Sequence, residues 1–102
     1  MGRFVKVATI GELAPGQAKK VQVDGKILAL FNLGGSYHAI DDSCPHRGGP
    51  LSEGPVEGDV VTCPWHGSTF NVKNGNVLTP PARSGVSSYG VRVSGSDVEV
   101  EL

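Results

Sequence analysis

Four side chains with an affinity for soft or borderline metals fall in two short runs. Cys44 and His46 lie in Cys44-Pro45-His46-Arg47-Gly48-Gly49-Pro50, and Cys63 and His66 in Cys63-Pro64-Trp65-His66-Gly67-Ser68. They are both of the cysteines and two of the three histidines, with sixteen residues between His46 and Cys63. Thiolate and imidazole suit zinc, copper and iron–sulfur clusters, whereas calcium and magnesium require oxygen ligands. A disulfide between Cys44 and Cys63 would leave the histidines idle. Each cysteine stands two or three residues before a histidine and is followed by proline, which is ligand spacing. A tetrahedral Cys2His2 zinc site is one reading, although common zinc spacings bring two cysteines together and two histidines together. The other is a two-iron cluster with inequivalent irons, each loop sending its cysteine to one iron and its histidine to the other.

The elements around these runs read as short strands. Val5, Val7 and Ile10 suggest a first strand, followed by a turn over Gly11–Gly16. Val21–Val23 and Lys26–Phe31 flank Asp24-Gly25, a type I′ hairpin signal because both central residues need positive φ. A turn at Asn32–Ser36 and a strand at Tyr37–Ile40 extend the hairpin into an antiparallel meander ending at Asp41-Asp42. The β-branched run Asp59–Thr62 delivers Cys63. Asn74-Gly75, between Phe70–Val72 and Val77-Leu78, reads as a second type I′ turn. Thr79–Gly85 is excluded from a sheet by Pro80 and Pro81. Tyr89–Val93 and Asp97–Glu101 form a last hairpin, valines on one face and charges on the other, which closes the sheet begun at the N-terminus.

At 102 residues the chain is expected to be one domain, and with 15 glycines, 7 prolines and 38% hydrophobic residues it is expected to be all-β. Nine basic and ten acidic residues leave a net charge of −1, and Lys19-Lys20 is the only basic doublet. That excludes the electrostatic footprint of a nucleic-acid or anionic-membrane binder. No apolar run has the length of a membrane span, and the N-terminus lacks a signal peptide's apolar segment, so a soluble cytoplasmic protein is expected.

The pattern Cys-x-His, sixteen residues, Cys-x2-His resembles the Rieske [2Fe–2S] family, most closely its soluble ferredoxins that serve ring-hydroxylating oxygenases. The hairpin order on either side is similar too, so the resemblance spans essentially the whole chain. It implies an antiparallel β-sandwich base, residues 1–42 and 83–102, with an inserted small β cluster-binding subdomain over approximately 43–82, the whole forming a single domain over 1–102. It implies one [2Fe–2S] cluster per chain, Cys44 and Cys63 on one iron and His46 and His66 on the other. Its partners would be a flavin-dependent reductase and a terminal oxygenase, with the chain a monomeric one-electron carrier and not itself an enzyme. Only 36 residues follow His66, too few for a catalytic domain. The alternatives are the small Rieske-like subunit of an assimilatory nitrite reductase and, from another class, a zinc-stabilised module without redox function.

High-potential members of the family tie the two loops with a disulfide, but Gly49 and Trp65 occupy those positions here. They also direct a serine and a tyrosine hydroxyl at the cluster sulfurs; Ser68 keeps the first, and Phe70 replaces the second. One hydrogen bond to a charged acceptor is worth about 1.5–3 kcal/mol, or about 60–130 mV in a one-electron couple. A low-to-intermediate potential is therefore expected within the family range of about −150 to +300 mV. Gly48, Gly49 and Gly67 are expected to let backbone N–H groups approach the sulfurs. Pro80-Pro81-Ala82 resembles the family's proline loop over the cluster, and Trp65 reads as a shield for the cluster, as part of a docking face or as simple packing. His38 reads as structural. Asp41, Asp42, Glu53, Glu57 and Asp59 read as solvated charges flanking turns rather than an acidic collar for a basic partner.

Overall fold

The computed structural model describes residues 3–45, 48–65, 67–80 and 82–102. Eleven strands are present among them: β1 (Phe4–Thr9), β2 (Ala18–Val23), β3 (Lys26–Leu33), β4 (Ser36–Asp41), β5 (Val56–Glu57), β6 (Val60–Thr62), β7 (Thr69–Asn71), β8 (Val77–Thr79), β9 (Ser88–Tyr89), β10 (Val91–Ser94) and β11 (Asp97–Glu101). A single 3-10 turn, Leu51–Glu53, is the only helical element among the described residues. The strands form three antiparallel sheets, ordered β1-β11-β10, β2-β3-β4-β9 and β5-β6-β7-β8.

The middle of the molecule is β3. Its apolar run Leu28-Ala29-Leu30-Phe31 is fully buried, as a strand covered on both faces must be, so it reads as a continuous apolar block instead of an alternation. Leu28 and Leu30 face one way, into a core with Ala8, Val21, Val23, Ala39, Val98 and Val100 that joins β2-β3-β4-β9 to β1-β11-β10. Ala29 and Phe31 face the other way, with Ile40, into a second core containing Cys44, Leu51, Val61, Cys63, Phe70 and Val72. The small β5–β8 sheet therefore packs on the back of the sandwich and shares its hydrophobic interior.

The Asp24-Gly25 turn has positive φ at both residues (50° and 78°), as a type I′ hairpin requires, and Gly34-Gly35 closes the next hairpin the same way. Several sequence expectations need correction. Ile10 lies beyond β1 and is exposed. At Asn74-Gly75 only the glycine has positive φ, and the connection is longer than a two-residue turn: the Gly75 N–H donates to the Asn71 carbonyl at 2.7 Å. Gly75 is fixed by crowding, since a Cβ there would lie 2.1 Å from the Val86 carbonyl oxygen. The strand expected over Tyr89–Val93 breaks at Gly90, where the chain leaves β4 and joins β11. Glycine without a side chain suits such a switch between sheets. In that last hairpin the β11 valines are buried, but Val93 on β10 is exposed. Thr79, expected in the loop, pairs with Thr69 at the end of β8. The segment from Leu51 to Gly58 contains both the 3-10 turn and β5, neither of which its composition announces.

Candidate metal centre

Cys44 and Cys63 begin two loops that hang from the small sheet side of the molecule, and the two loops are built on one frame. The Cys44 N–H donates to the Gly49 carbonyl at 2.9 Å, and the Gly48 N–H to the Cys44 carbonyl at 2.7 Å. The Cys63 N–H donates to the Ser68 carbonyl at 2.7 Å, and the Gly67 N–H to the Cys63 carbonyl at 3.1 Å. In each, a glycine four residues after the cysteine turns the chain with positive φ, 76° at Gly48 and 83° at Gly67, a backbone state that costs glycine nothing. A third copy lies at Asn71: its N–H bonds the Asn76 carbonyl at 2.9 Å, and Gly75 (φ 77°) closes back on Asn71. A glycine four residues after each of Cys44, Cys63 and Asn71 was the sequence signal for this repetition.

Both cysteines are buried, 2% and 3% exposed, and their sulfurs are thiols rather than a disulfide. The Gly49 position abuts the second loop so closely that a Cβ there would lie 2.7 Å from Cys63 Sγ. Gly49 is thus required for lack of a side chain, the close approach expected of it, while its φ is not positive. Ser68 is fully buried, and its Oγ accepts the Ala82 N–H at 2.8 Å. That bond ties the proline-containing loop to the second cysteine loop. Phe70 is fully buried beside both cysteines in the same core. Pro81 of the expected cover lies outside the described residues.

His46 and His66 also lie outside the described residues. Among the described residues no three cysteine, histidine or acidic side chains converge, so the described part of the four-residue set is the two thiols. They fit an iron–sulfur group: soft donors, buried from water, on twin loops that leave no room for a side chain between them.

The carboxylates nearest the loops are structural, which corrects the expectation of solvated charges. Asp42 is 4% exposed; its Oδ1 accepts the Ser52 N–H at 2.8 Å, and its carbonyl accepts the Leu51 N–H at 2.7 Å. It fixes the 3-10 turn behind the first loop, whose ends are joined by a bridge between Ser43 and Pro50. Asp41 accepts the Tyr89 hydroxyl at 2.7 Å and the Ser87 N–H at 3.2 Å. Burial, and then the bond to Asp41, push the Tyr89 phenol up to about 12. Aspartate ahead of a loop satisfies backbone N–H groups that water cannot reach. His38 on β4 has an Nε2 with no partner among the described residues. Burial pushes its imidazole pKa down, and the nearby Lys73 charge adds to this.

No helix among the described residues is long and apolar enough to cross a membrane. Residues 3–90 match the model of the Rieske [2Fe-2S] domain family. The chain is 38% identical over 100 residues to the biphenyl dioxygenase ferredoxin subunit of Pseudomonas sp. strain KKS102, covering 97% of this chain and 92% of that one. Among solved structures it resembles the complex of reduced oxygenase and oxidized ferredoxin in carbazole 1,9a-dioxygenase, with 34% identity, a TM-score of 0.89 and coverage of 95% and 91%. It also resembles an NADH-dependent nitrite reductase small subunit from Mycobacterium tuberculosis, at 28% identity, TM-score 0.91, covering 100% of this chain and 96% of that one. With buried thiols on twin loops and this match along most of its length, the chain belongs to the Rieske [2Fe-2S] domain family and is a Rieske-type electron carrier.

Proposed function

We propose that this protein carries single electrons from a flavin-dependent reductase to a terminal oxygenase, with Cys44, His46, Cys63 and His66 as cluster ligands. The burial of both thiols on one repeated loop frame carries this reading. The likeness to dioxygenase ferredoxin subunits, at 38% identity over 97% of the chain, supports the choice of partners. When bound, the cluster supplies a one-electron couple whose neutral imidazole ligands raise its potential above all-cysteine ferredoxins. The chain's own contribution is to hold the thiols in a dry core, to leave Gly49 without a side chain, and to tether the covering loop through Ser68.

The whole chain acts as a single domain in this reading, with residues 43–82 as the cluster-binding part and 1–42 and 83–102 as the base. The second core, shared between Phe31 and Ile40 of the base and Phe70 and Val61 of the small sheet, supports treating them as one unit. A cytoplasmic, monomeric carrier completes the proposal. A nitrite reductase small subunit is the second reading, favoured by the likeness at TM-score 0.91.

Anaerobically purified protein should contain iron and sulfide and give an electron paramagnetic resonance signal after dithionite reduction. Its midpoint should fall below about +200 mV, the upper part of the family range. Product formation by a reconstituted reductase–oxygenase pair should depend on its addition. A colourless, signal-free protein with stoichiometric zinc would overturn the redox reading, and electron delivery only to a nitrite reductase would select the second.

A further inference from the structure

Trp65 is the only tryptophan in the chain, and it is 56% exposed. Its inner edge nevertheless lies across the first loop: a Cβ built on Gly49 would be 3.1 Å from the Trp65 Cγ and 3.2 Å from Cδ2. The same Cβ would be 2.7 Å from Cys63 Sγ. Gly49 is buried although it has no side chain, and the atoms nearest its open side are the Cys63 sulfur and the indole. One large residue on the second loop and one absent side chain on the first thus share a single volume directly above a thiol ligand.

We infer that Trp65 and Gly49 form a matched large–small pair that clamps the two loops together and positions Cys63 Sγ, doing by packing what a covalent link between the loops would do. This rests on Cys63 being a ligand. The pair makes no bond to the metal and works through Cys63. Close packing leaves no spare room at such a contact. A methyl at position 49 would press on both: the sulfur at 2.7 Å has to shift, which would change its bond to iron, and the indole at 3.1–3.2 Å has to give by a few tenths of an ångström and can swing into solvent. Removing the indole instead opens Cys63 to water, and water stabilises the more negative reduced state.

The test is a double-mutant cycle on the holoprotein with Trp65→Ala, Gly49→Ala and the two combined. Each single variant should release iron to a chelator about 10-fold faster or more, the range for losing a partner that orients a metal ligand. Trp65→Ala should also raise the midpoint potential, a readout that a purely structural residue would leave unchanged. In the double variant the added methyl still meets Cys63 Sγ but no ring confines the two, and both changes act on the same sulfur, so the release rate should fall well below the product of the two single effects. Fluorescence of the lone tryptophan in apoprotein supplies a reading that needs no cluster: Gly49→Ala should increase quenching by acrylamide as the indole is displaced. Multiplicative release rates, or a Trp65→Ala variant with parental potential and release rate, would overturn the inference. Loss of the cluster signal from the parent protein itself would instead overturn the ligand assignment beneath it.

Discussion

Replacing Ser68 by alanine separates two duties of one hydroxyl. Ser68 is fully buried, and its Oγ accepts the N–H of Ala82, itself 5% exposed, at 2.8 Å. Without the oxygen, that amide stays buried with no acceptor, at a cost of about 1–3 kcal/mol. For a domain of this size each kcal/mol corresponds to about 4–8 °C in melting temperature, so a fall of about 5–20 °C is expected. A hydroxyl accepts through its lone pairs while still donating its proton, so the same oxygen can anchor Ala82 and serve a cluster sulfur, as the family resemblance implies. Loss of a hydrogen bond to that charged acceptor should lower the midpoint by about 60–130 mV. Thermal unfolding followed by circular dichroism, with visible absorbance tracking the cluster and a redox titration of the same sample, reads both effects. A melting temperature within about 2 °C of the parent, under about 0.5 kcal/mol, would refute the anchoring role. An unchanged potential would refute the bond to sulfur.

Gly54→Ala should cost about 1–3 kcal/mol or more in thermal unfolding, because its Cβ would lie 1.9 Å from the Thr62 backbone oxygen, whereas Gly11→Ala, with open space around it, should melt like the parent. His38 has a depressed pKa in the folded state, so the unfolded chain binds more protons below about pH 6.5. Its contribution to stability is full above that pH and is lost as pH falls through the folded value; the melting temperature of His38→Gln relative to parent should therefore improve between pH 7.5 and 5, and a constant difference would refute this. Alkaline titration by tyrosine absorbance should show one of the two tyrosines ionising at about 12, and Tyr89→Phe should remove that step. The stability linked to Tyr89 is present below about pH 10 and is lost as pH rises through 12. His66→Cys should lower the potential or lose the cluster, and a variant with the parental spectrum and potential would show that His66 is not a ligand.

Local chemistry was legible in the sequence where one residue decides the outcome. Asp24-Gly25 gave its hairpin because positive φ at adjacent positions admits few residue types. The Cys/His runs narrowed the metal to zinc, copper or an iron–sulfur cluster because thiolate and imidazole suit soft or borderline metals. Asn74-Gly75 misled because the same dipeptide also ends a longer loop in which only the glycine needs positive φ. Gly90 was hidden inside an alternating run, since leaving one sheet for another depends on where β4 and β11 lie and not on the residues from Tyr89 to Val93. The duties of Asp41 and Asp42 were likewise invisible: a carboxylate beside a turn looks solvated until the Ser52 amide and the Tyr89 hydroxyl are found aimed at it. Gly49 was identified as important, but its reason is a sulfur across the gap, a contact between residues fourteen positions apart.

The three copies of one loop frame show how the chemistry is laid over the fold. The frame at Cys44, Cys63 and Asn71 is held by backbone bonds from the first residue and from a glycine four positions on, so it makes no demand on the residues between. The Asn71 loop spends its first side chain on its own backbone, accepting the Lys73 N–H at 2.8 Å. The other two present a cysteine in the same place, buried where Asn71 is only partly so. Histidine stands two residues after Cys44 and three after Cys63 in the sequence. A repeated backbone frame thus lies under two runs whose Cys-to-His spacings differ, and its hydrogen bonds are the same in both. What separated an iron–sulfur site from zinc was the pairing of one cysteine with one histidine in each run, since common zinc spacings group like with like.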